Sequence, residues 1–116
     1  TYIDDVIKGI VNVVDNLASS NNNWSSDNPD AATSNAPWKI YNIGNNEPIQ
    51  IFDYIKALEN ILNKKAKINL LPLQPGDILD TCADMKKFTK ELDFKASTKI
   101  SEGVKKFAQW YLDYYK

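Results

Sequence analysis

The sequence contains no arginine and no histidine, and all 14 of its basic residues are lysines. Without arginine, the chain has no planar guanidinium group that could bind a phosphate through two parallel hydrogen bonds. Without histidine, it lacks the side chain that most often serves as a general base near neutral pH. A source proteome rich in lysine, asparagine and isoleucine would explain the bias. The chemical consequence is the same, and it argues against an autonomous catalytic site.

Cysteine and long apolar runs are equally scarce. Cys82 is the one cysteine of the chain, which excludes an intrachain disulfide and suits a reducing compartment. We expect a buried or partly buried structural thiol, because a catalytic cysteine would need a histidine partner. No apolar run approaches the roughly 18 residues of a membrane span, and no signal-peptide pattern is present.

The overall composition is that of an ordinary globular domain. The chain has 116 residues, of which 43% are hydrophobic and 25% charged, and its net charge is −1. This length allows one domain at most. The small net charge gives no field that would attract nucleic acid or anionic lipid.

Helical periodicity is the main structural pattern. Apolar residues at helical spacing predict helices over about 5–18, 49–64 and 99–115. Asp4 or Asp5 can cap the first of them. A short helix is predicted after Asp84, with Met85, Phe88 and Leu92 facing inward. Short strands are predicted at residues 1–3, 38–43 and 66–73.

Between the first helix and the second strand lies a long polar segment. Residues 19–36 are rich in asparagine, serine and aspartate, which predicts a loop without regular structure. Trp24 in its middle can pin the loop to the body of the protein. Either the loop is solvated and floppy, or it covers a ligand or a partner.

Three further clusters are better explained by structure than by function. Asp77, Asp80 and Asp84 lack the spacing and the glutamate of an EF-hand. The lysines of residues 86–90 lie near Phe88, but the acidity of the chain argues against nucleic acid. The aromatic residues of segment 110–115 are more typical of helix core and an interface than of a ligand cage.

Several motifs occur in an order that resembles one protein family. They are Tyr2-Ile3-Asp4-Asp5 before a helix, Tyr41-Asn42-Ile43-Gly44-Asn45 followed by Pro48, Leu73-Gln74-Pro75-Gly76-Asp77, Ala83-Asp84-Met85-Lys86-Lys87 with Leu92 and Phe94, Thr98-Lys99-Ile100-Ser101-Glu102-Gly103-Val104 before Trp110-Tyr111, and the long polar loop ending in Ala36-Pro37-Trp38. The chain resembles the C-terminal, substrate-binding lobe of an extended short-chain dehydrogenase/reductase, and most closely the UDP-glucuronate 4-epimerase branch of the nucleotide-sugar epimerases. The resemblance covers essentially the whole chain.

The resemblance implies substrate-binding roles for Gln74 and Asp77. They match the family's loop that closes over the nucleotide, where the common pattern is Arg-x-Gly-Asp. The resemblance implies that Asp77 accepts hydrogen bonds from two ribose hydroxyls. Gln74 departs from arginine, as it does in the glucuronate branch, and it can donate to a phosphate oxygen without bringing a charge. From the residues alone, a plain turn aspartate and a solvated glutamine stay open as alternatives.

The family's cofactor and catalytic motifs are missing from this sequence. The family binds NAD at a glycine-rich turn and uses a tyrosine four residues ahead of a lysine, and neither pattern occurs here. We therefore expect residues 1–116 to be an α/β fragment of about four helices and two or three short strands. It is expected to bind no NAD and no metal and to hold no catalytic residue, while the missing N-terminal Rossmann domain supplies NAD.

The expected function is the substrate-binding part of a cytoplasmic NAD-dependent epimerase. The resemblance implies interconversion of UDP-glucuronate and UDP-galacturonate through a 4-keto intermediate, with 4,6-dehydration or decarboxylation as sister chemistries. The expected partners are a UDP-sugar and the Rossmann domain, and neither nucleic acid nor a membrane. We also expect an exposed apolar face that allows self-association. The alternative is a free-standing, non-catalytic module that binds a nucleotide sugar or docks onto a partner protein.

Overall fold

Four helices account for the regular structure of the chain. A computed structural model describes residues 1–115, with α1 at Ile3–Asp15, α2 at Ile51–Leu62, α3 at Lys86–Leu92 and α4 at Ile100–Tyr114. All four predicted helices are therefore confirmed. Lys116, the last residue of the expected domain, lies outside the described residues. No helix within residues 1–115 is both long enough and apolar enough to cross a membrane.

The predicted strands are wrong. Residues 1–115 contain no β-strand, and only isolated bridges join Ser25 to Asn28 and Thr33 to Lys39. Of the three predicted strands, 1–3 runs into α1, which begins at Ile3. Segment 38–43 has only the single bridge at Lys39, and segment 66–73 has neither helical structure nor a bridge. A strand is defined by a partner, because its amides and carbonyls must pair with those of a neighbour. The fold is thus four helices joined by long irregular segments.

The core lies where α3 meets α1 and the segment before α2. Phe88 of α3 is 1% exposed, and its ring meets the edges of Tyr41 and Phe94 at centroid distances of 5.2 and 5.3 Å. Met85 is also buried. The predicted inward positions on this short helix are therefore confirmed for Met85 and Phe88, while Leu92 is half-buried.

Helix α1 packs through its small and polar face. Asp5 and Gly9 are its buried residues, and a Cβ added to Gly9 would stand 3.4 Å from the Phe88 ring. One turn further, Asn12 Nδ2 donates to the carbonyl of Leu92 at 2.9 Å. The opposite face is exposed and apolar; its residues are Ile3, Ile7, Ile10, Val11 and Val14. We call these five residues the α1 apolar face. The expected exposed apolar surface is present, and this helix provides part of it.

Helix α4 packs on α2 through its first half. Val104 and Ala108 are buried, but the aromatic residues beyond them are not. Trp110 and Tyr114 stack at 5.5 Å, and Tyr111 and Tyr115 lie 4.7 Å apart, all on the surface. The prediction that this cluster forms helix core is therefore wrong, because the described residues provide nothing that covers the end of α4.

The polar loop is closed by hydrogen bonds within itself. The amide of Asn21 donates to the carbonyl of Ser34 at 2.8 Å, and the carboxylate of Asp30 accepts from the Ala32 amide and the Thr33 hydroxyl. Trp24 Nε1 donates to the carbonyl of Asp30 at 3.3 Å. Trp24 therefore fastens the loop to itself, and the predicted lack of regular structure is confirmed.

Residues 63–82 form an exposed segment that we call the arm. Every residue in this range is exposed. The arm begins at Asn63, whose left-handed backbone (φ 48°) ends α2, and it leads back to the core at Ala83. It carries both residues that the sequence assigns to substrate binding.

Candidate functional site

Gln74 and Asp77 lie together in one tight turn of the arm. The amide of Asp77 donates to the carbonyl of Gln74 at 3.1 Å. Gly76 between them has φ +94°, a left-handed backbone that favours glycine. The sequence therefore places the two candidate side chains correctly in a turn. Within residues 1–115, no hydrogen bond or ion pair engages either side chain.

An exposed carboxylate and an exposed amide side by side form a simple recognition unit. The carboxylate can accept hydrogen bonds from neighbouring hydroxyls, and the amide can donate to an anionic oxygen. A Cβ added to Gly76 would meet no atom within 4 Å, so the turn stands clear of the rest of the chain. The turn is thus open to a ligand from more than one side.

The arm returns to the core beside a cavity of about 610 Å³. This cavity is lined on one side by Asn45, Asn46 and Glu47 and on the other by Thr81 and Cys82. The glycine turn before α2 and the end of the arm therefore face each other across it.

A second cavity, of about 320 Å³, lies next to the first. Its lining is mostly apolar and includes Tyr2, Tyr54, Ile100 and Phe107. Asn45 lines both cavities, and its Nδ2 donates to the Thr98 carbonyl at 3.5 Å. This asparagine therefore connects the glycine turn with the segment that leads into α4.

Gly44 allows the backbone to approach the end of the arm. A Cβ at this position would lie well inside contact distance of Ala83 Cβ. The Gly44 amide donates to the sulfur of Met85 at 3.0 Å. A larger residue would push the Asn45–Asn46 turn away from Ala83, so the shape of the larger cavity depends on this glycine.

Cys82 is exposed, and the prediction of a buried or partly buried thiol is wrong. Its Sγ lies 3.7 Å from Asn46 Oδ1. The exposure follows from its place as the last residue of the arm, before the chain enters the core at Ala83. The expectation of burial rested on the usual burial of free cysteines, but the arm has no core beneath it.

Glu91 joins α3 to the segment before α2 through one oxygen. Its Oε2 accepts hydrogen bonds from Lys39 Nζ at 2.9 Å and from Tyr41 Oη at 2.6 Å. These two hydrogen bonds lower the pKa of Glu91. The hydrogen bond from Lys39 to Glu91 raises the pKa of Lys39. Burial, and then the hydrogen bond to the same carboxylate, raise the pKa of Tyr41. No local sequence pattern indicates this cluster, because its members lie some fifty positions apart.

Two charged residues hold the start of α3. Asp84 Oδ1 accepts a hydrogen bond from the amide of Lys86, the first residue of the helix, at 3.0 Å, but the N-cap position belongs to Met85, so the expectation that Asp84 caps this helix is wrong. Lys87 Nζ forms an ion pair with Asp30 at 3.4 Å, which ties the polar loop to α3. Over residues 1–115, no group of three or more acidic or thiol side chains is arranged to hold a metal ion.

The whole chain is similar to parts of longer proteins. It is 46% identical to protein CapI of Staphylococcus aureus, covering 100% of this chain and 35% of CapI. It is 35% identical to UDP-glucuronate 4-epimerase 3 of Arabidopsis thaliana, covering 99% of this chain and 26% of that protein. The chain thus spans about a third or less of the length of these relatives. No protein-family model matches it.

Solved structures give the same result for the fold. The chain superposes with a TM-score of 0.72, at 29% identity, on UDP-glucuronic acid 4-epimerase from Bacillus cereus, solved with UDP-4-deoxy-4-fluoro-glucuronic acid and NAD. The match covers 99% of this chain and 32% of that one. UDP-glucose 4-epimerase from Bifidobacterium longum, solved with NAD and UDP, superposes with a TM-score of 0.68 at 26% identity, over 94% of this chain and 28% of that one.

Proposed function

Because the chain is homologous to one part of the UDP-glucuronate 4-epimerases and CapI-type proteins, which are extended short-chain dehydrogenase/reductase epimerases, we propose that it is the substrate-binding part of such an enzyme. What supports the proposal is a match along the full chain, at 46% identity to CapI, together with superposition on an enzyme solved with a UDP-sugar analogue. The exposed Gln74–Asp77 turn is the part of this chain that meets the substrate.

The proposed substrate is a UDP-sugar, and the proposed reaction is 4-epimerisation of UDP-glucuronate to UDP-galacturonate. Asp77 accepts hydrogen bonds from two neighbouring hydroxyls of the nucleotide ribose, which suits a carboxylate with free lone pairs. Gln74 donates to a phosphate oxygen, a contact weaker than that of an arginine because the amide is neutral. Both residues act by holding the nucleotide half, and neither takes part in proton or hydride transfer.

The described residues do not fit the NAD that the relatives bind. A dinucleotide site needs closely spaced glycines at the turn from a strand into a helix. The glycines here lie apart, within α1, before α2, in the arm and within α4; they are Gly9, Gly44, Gly76 and Gly103. We therefore derive no step through NAD from this chain. In the proposal, NAD and the acid–base residues belong to another part of the polypeptide.

The test is calorimetric titration of the complete gene product with UDP and UDP-glucuronate. Asp77→Asn keeps the shape of the side chain and removes its charge. A hydrogen bond to a charged group contributes about 1.5–3 kcal/mol, so the variant is expected to bind UDP roughly ten- to a hundredfold more weakly. Asp80→Asn, which makes the same change three residues away in the arm, is expected to bind like the parent.

Two outcomes would contradict the proposal. Equal UDP binding by both asparagine variants would show that Asp77 is only a turn residue. A gene product that binds UDP-glucuronate without forming UDP-galacturonate, and that has no NAD-binding part, would instead be a free-standing nucleotide-sugar-binding module.

A further inference from the structure

A further cavity, of about 390 Å³, lies between α3 and the glycine turn before α2. Buried Met85 and Ala96 line it, and most of the other lining residues are polar. These polar residues are Asn45, Asn46, Lys86, Thr89, Lys90 and Lys95. Three of the 14 lysines of the chain therefore meet at one concave surface, which we call the lysine cavity.

The three lysines of this cavity have no partner for their charge. Across the described residues, no hydrogen bond or ion pair engages the ammonium group of Lys86, Lys90 or Lys95. Glu91, which follows Lys90 in the sequence, instead accepts from Lys39 at 2.9 Å. The part of the chain that the structure describes therefore leaves three positive charges uncompensated around the cavity.

Unpaired lysines are not the rule on α3. Lys87 of the same helix forms an ion pair with Asp30 at 3.4 Å. The chain has 15 acidic residues for its 14 basic ones, so groups of opposite charge are not scarce. The concentration of free cations at the lysine cavity is therefore a local feature and not the result of a basic composition.

The stability of the helix does not account for this arrangement. Lys86 and Lys90 are four positions apart on α3, and like charges at this spacing lie on the same face and repel each other. Lys86 also occupies the first turn of the helix, where the helix dipole disfavours a cation. An anion bound between the lysines would offset both unfavourable effects.

The donors around the cavity match an oxyanion that carries more than one charge. An ammonium group donates up to three hydrogen bonds, and the Thr89 hydroxyl, which is without a partner among the described residues, can donate another. Lysine binds phosphate as a compact point charge, and three lysines suit a diphosphate better than a single carboxylate. The volume lies within the usual range of small-molecule sites, about 300–1,000 Å³, which favours a small ligand over an extended polymer.

We propose that the lysine cavity binds a diphosphate group, either free or as part of a nucleotide, at a site separate from the Gln74–Asp77 turn. None of residues 74–77, all of which the structure describes, lines this cavity. Asn45 and Asn46 line both the lysine cavity and the cavity of about 610 Å³ beside the end of the arm. A diphosphate held by the lysines therefore lies against the turn that forms one wall of the larger cavity.

Chemical footprinting of lysines on the complete gene product tests where the anion binds. An amine-reactive reagent is applied with and without inorganic pyrophosphate, and mass spectrometry measures the modification of each lysine. At ten times the Kd of pyrophosphate, Lys86, Lys90 and Lys95 are expected to react up to about tenfold more slowly. Lys105 of α4, which is exposed and forms no ion pair with a described residue, is the control and is expected to react at an unchanged rate. Unchanged rates at all three cavity lysines would overturn the proposal.

Calorimetric titration with pyrophosphate tests the contribution of each charge. Saturating UDP and NAD are present, so that they occupy the sites that the proposed function assigns to them. Lys86→Gln and Lys90→Gln are each expected to bind pyrophosphate roughly tenfold more weakly than the parent, and Lys105→Gln is expected to bind like the parent. Equal affinity of all three variants would overturn the proposal. Sulfate that binds as tightly as pyrophosphate would also overturn it, because the lysines would then attract any anion.

Titration with ADP under the same conditions distinguishes the two sources of a diphosphate. Tighter binding of ADP than of pyrophosphate, lost in Lys90→Gln, would support a nucleotide as the ligand. Weaker binding of ADP would support a free diphosphate, because the nucleoside would then add nothing favourable.

The anion site and the proposed function fail separately. Protected lysines in a protein whose UDP binding does not depend on Asp77 would support the anion site and contradict the function proposed for the turn. Asp77-dependent UDP binding with unprotected lysines would do the reverse. Weaker UDP binding by Lys86→Gln and Lys90→Gln would overturn the separate site, because the lysines would then hold the diphosphate of the substrate itself.

Discussion

Asp5 connects the start of α1 to the segment before α4. This residue is 3% exposed, and its Oδ2 accepts a hydrogen bond from the Thr98 amide at 2.9 Å. Burial acts to raise the pKa of this carboxyl, but hydrogen bonds from Thr98 and Ser97 and the charge of Lys8 outweigh it and leave the pKa below its ordinary value. The folded state therefore favours the ionised form.

Asp5→Asn is expected to destabilise the protein near neutral pH by about 1–2 kcal/mol. The variant loses a hydrogen bond to a charged group, and the amide oxygen of asparagine replaces it with a weaker, neutral one. Because the folded pKa is depressed, this contribution is fully present above the unfolded pKa and is lost as the pH falls through the folded pKa. Urea unfolding at neutral and acid pH measures both effects. Asp4→Asn, on the exposed side of the same turn, is the control. A stability difference between the parent and Asp5→Asn that persists at the lowest pH would contradict the electrostatic explanation.

Gly44 is the residue at which a single methyl group should matter most. Gly44→Ala forces its Cβ against that of Ala83, and overpacking of this kind costs about 1–3 kcal/mol. Ala83→Gly in the same molecule removes the obstructing methyl group, so the double variant is expected to regain most of the lost stability. Thermal unfolding of the parent, both single variants and the double variant measures the coupling. Additive effects would mean that the two residues do not limit each other.

Single-residue roles were predictable from the sequence where they depend on neighbours in the chain. The turn at Gln74 and Asp77 and the hydrogen bond from the Lys86 amide to Asp84 follow from local rules, whereas the partner of Lys87 in its ion pair, Asp30, lies 57 positions away. The burial of Asp5 depends on Thr98, 93 positions away, and no local pattern specifies such a contact. The sequence feature that could have indicated this burial is the helical spacing of Asp5, Gly9 and Asn12. This spacing places small and polar residues together on one face of α1.

At the scale of elements, α3 is short but central. Its Phe88 is buried between Tyr41 and Phe94, so the helix fixes the segment before α2 as well as itself. Phe88→Ala is expected to cost about 3–5 kcal/mol, the usual range for a large buried aromatic residue. Phe107→Ala, at a site 49% exposed, is expected to cost far less. Chemical denaturation measures the free energy of unfolding of both variants. Equal losses of stability would show that the core does not lie around Phe88.

Helices and strands differ in how far the sequence determines them. Each helix makes its hydrogen bonds within its own segment, so periodicity sufficed to predict α1 to α4. A strand needs a partner, and the local pattern predicted strands at 38–43 and 66–73 for which the described residues provide only one bridge, at Lys39. The same limit applies to α1, because periodicity identified its apolar face but not the direction in which that face points.

The whole molecule is much more open than a globule of its length. Its radius of gyration is 18.9 Å, whereas a compact chain of this size would have about 13 Å. Its accessible surface is 9607 Å², against about 6400 Å² for a compact protein of the same mass. Dimensions like these are typical of a part that is completed by contact with another part.

The α1 apolar face is expected to drive association of this chain when nothing else covers it. Val14 is 63% exposed and buries little surface within the chain. Val14→Lys should therefore change the free energy of unfolding by less than about 0.5 kcal/mol. It should nevertheless weaken self-association and lower the binding of a hydrophobic dye. Ser20→Lys adds the same charge beyond the helix. Sedimentation velocity of both variants measures their self-association. Equal association of Val14→Lys and Ser20→Lys would show that the α1 apolar face is not the contact surface.

The exposed arm also determines how the protein would be degraded. Lys64, Lys65 and Lys67 stand at its start on backbone that a protease can enter without unfolding any helix. A cut there would leave two pieces held together, because α2 packs on α4 and α1 packs on Phe88. A polypeptide with an uncovered arm would thus be nicked early, whereas one in which the arm is covered would resist. Cellular proteases would thereby remove incompletely assembled molecules and spare the finished ones.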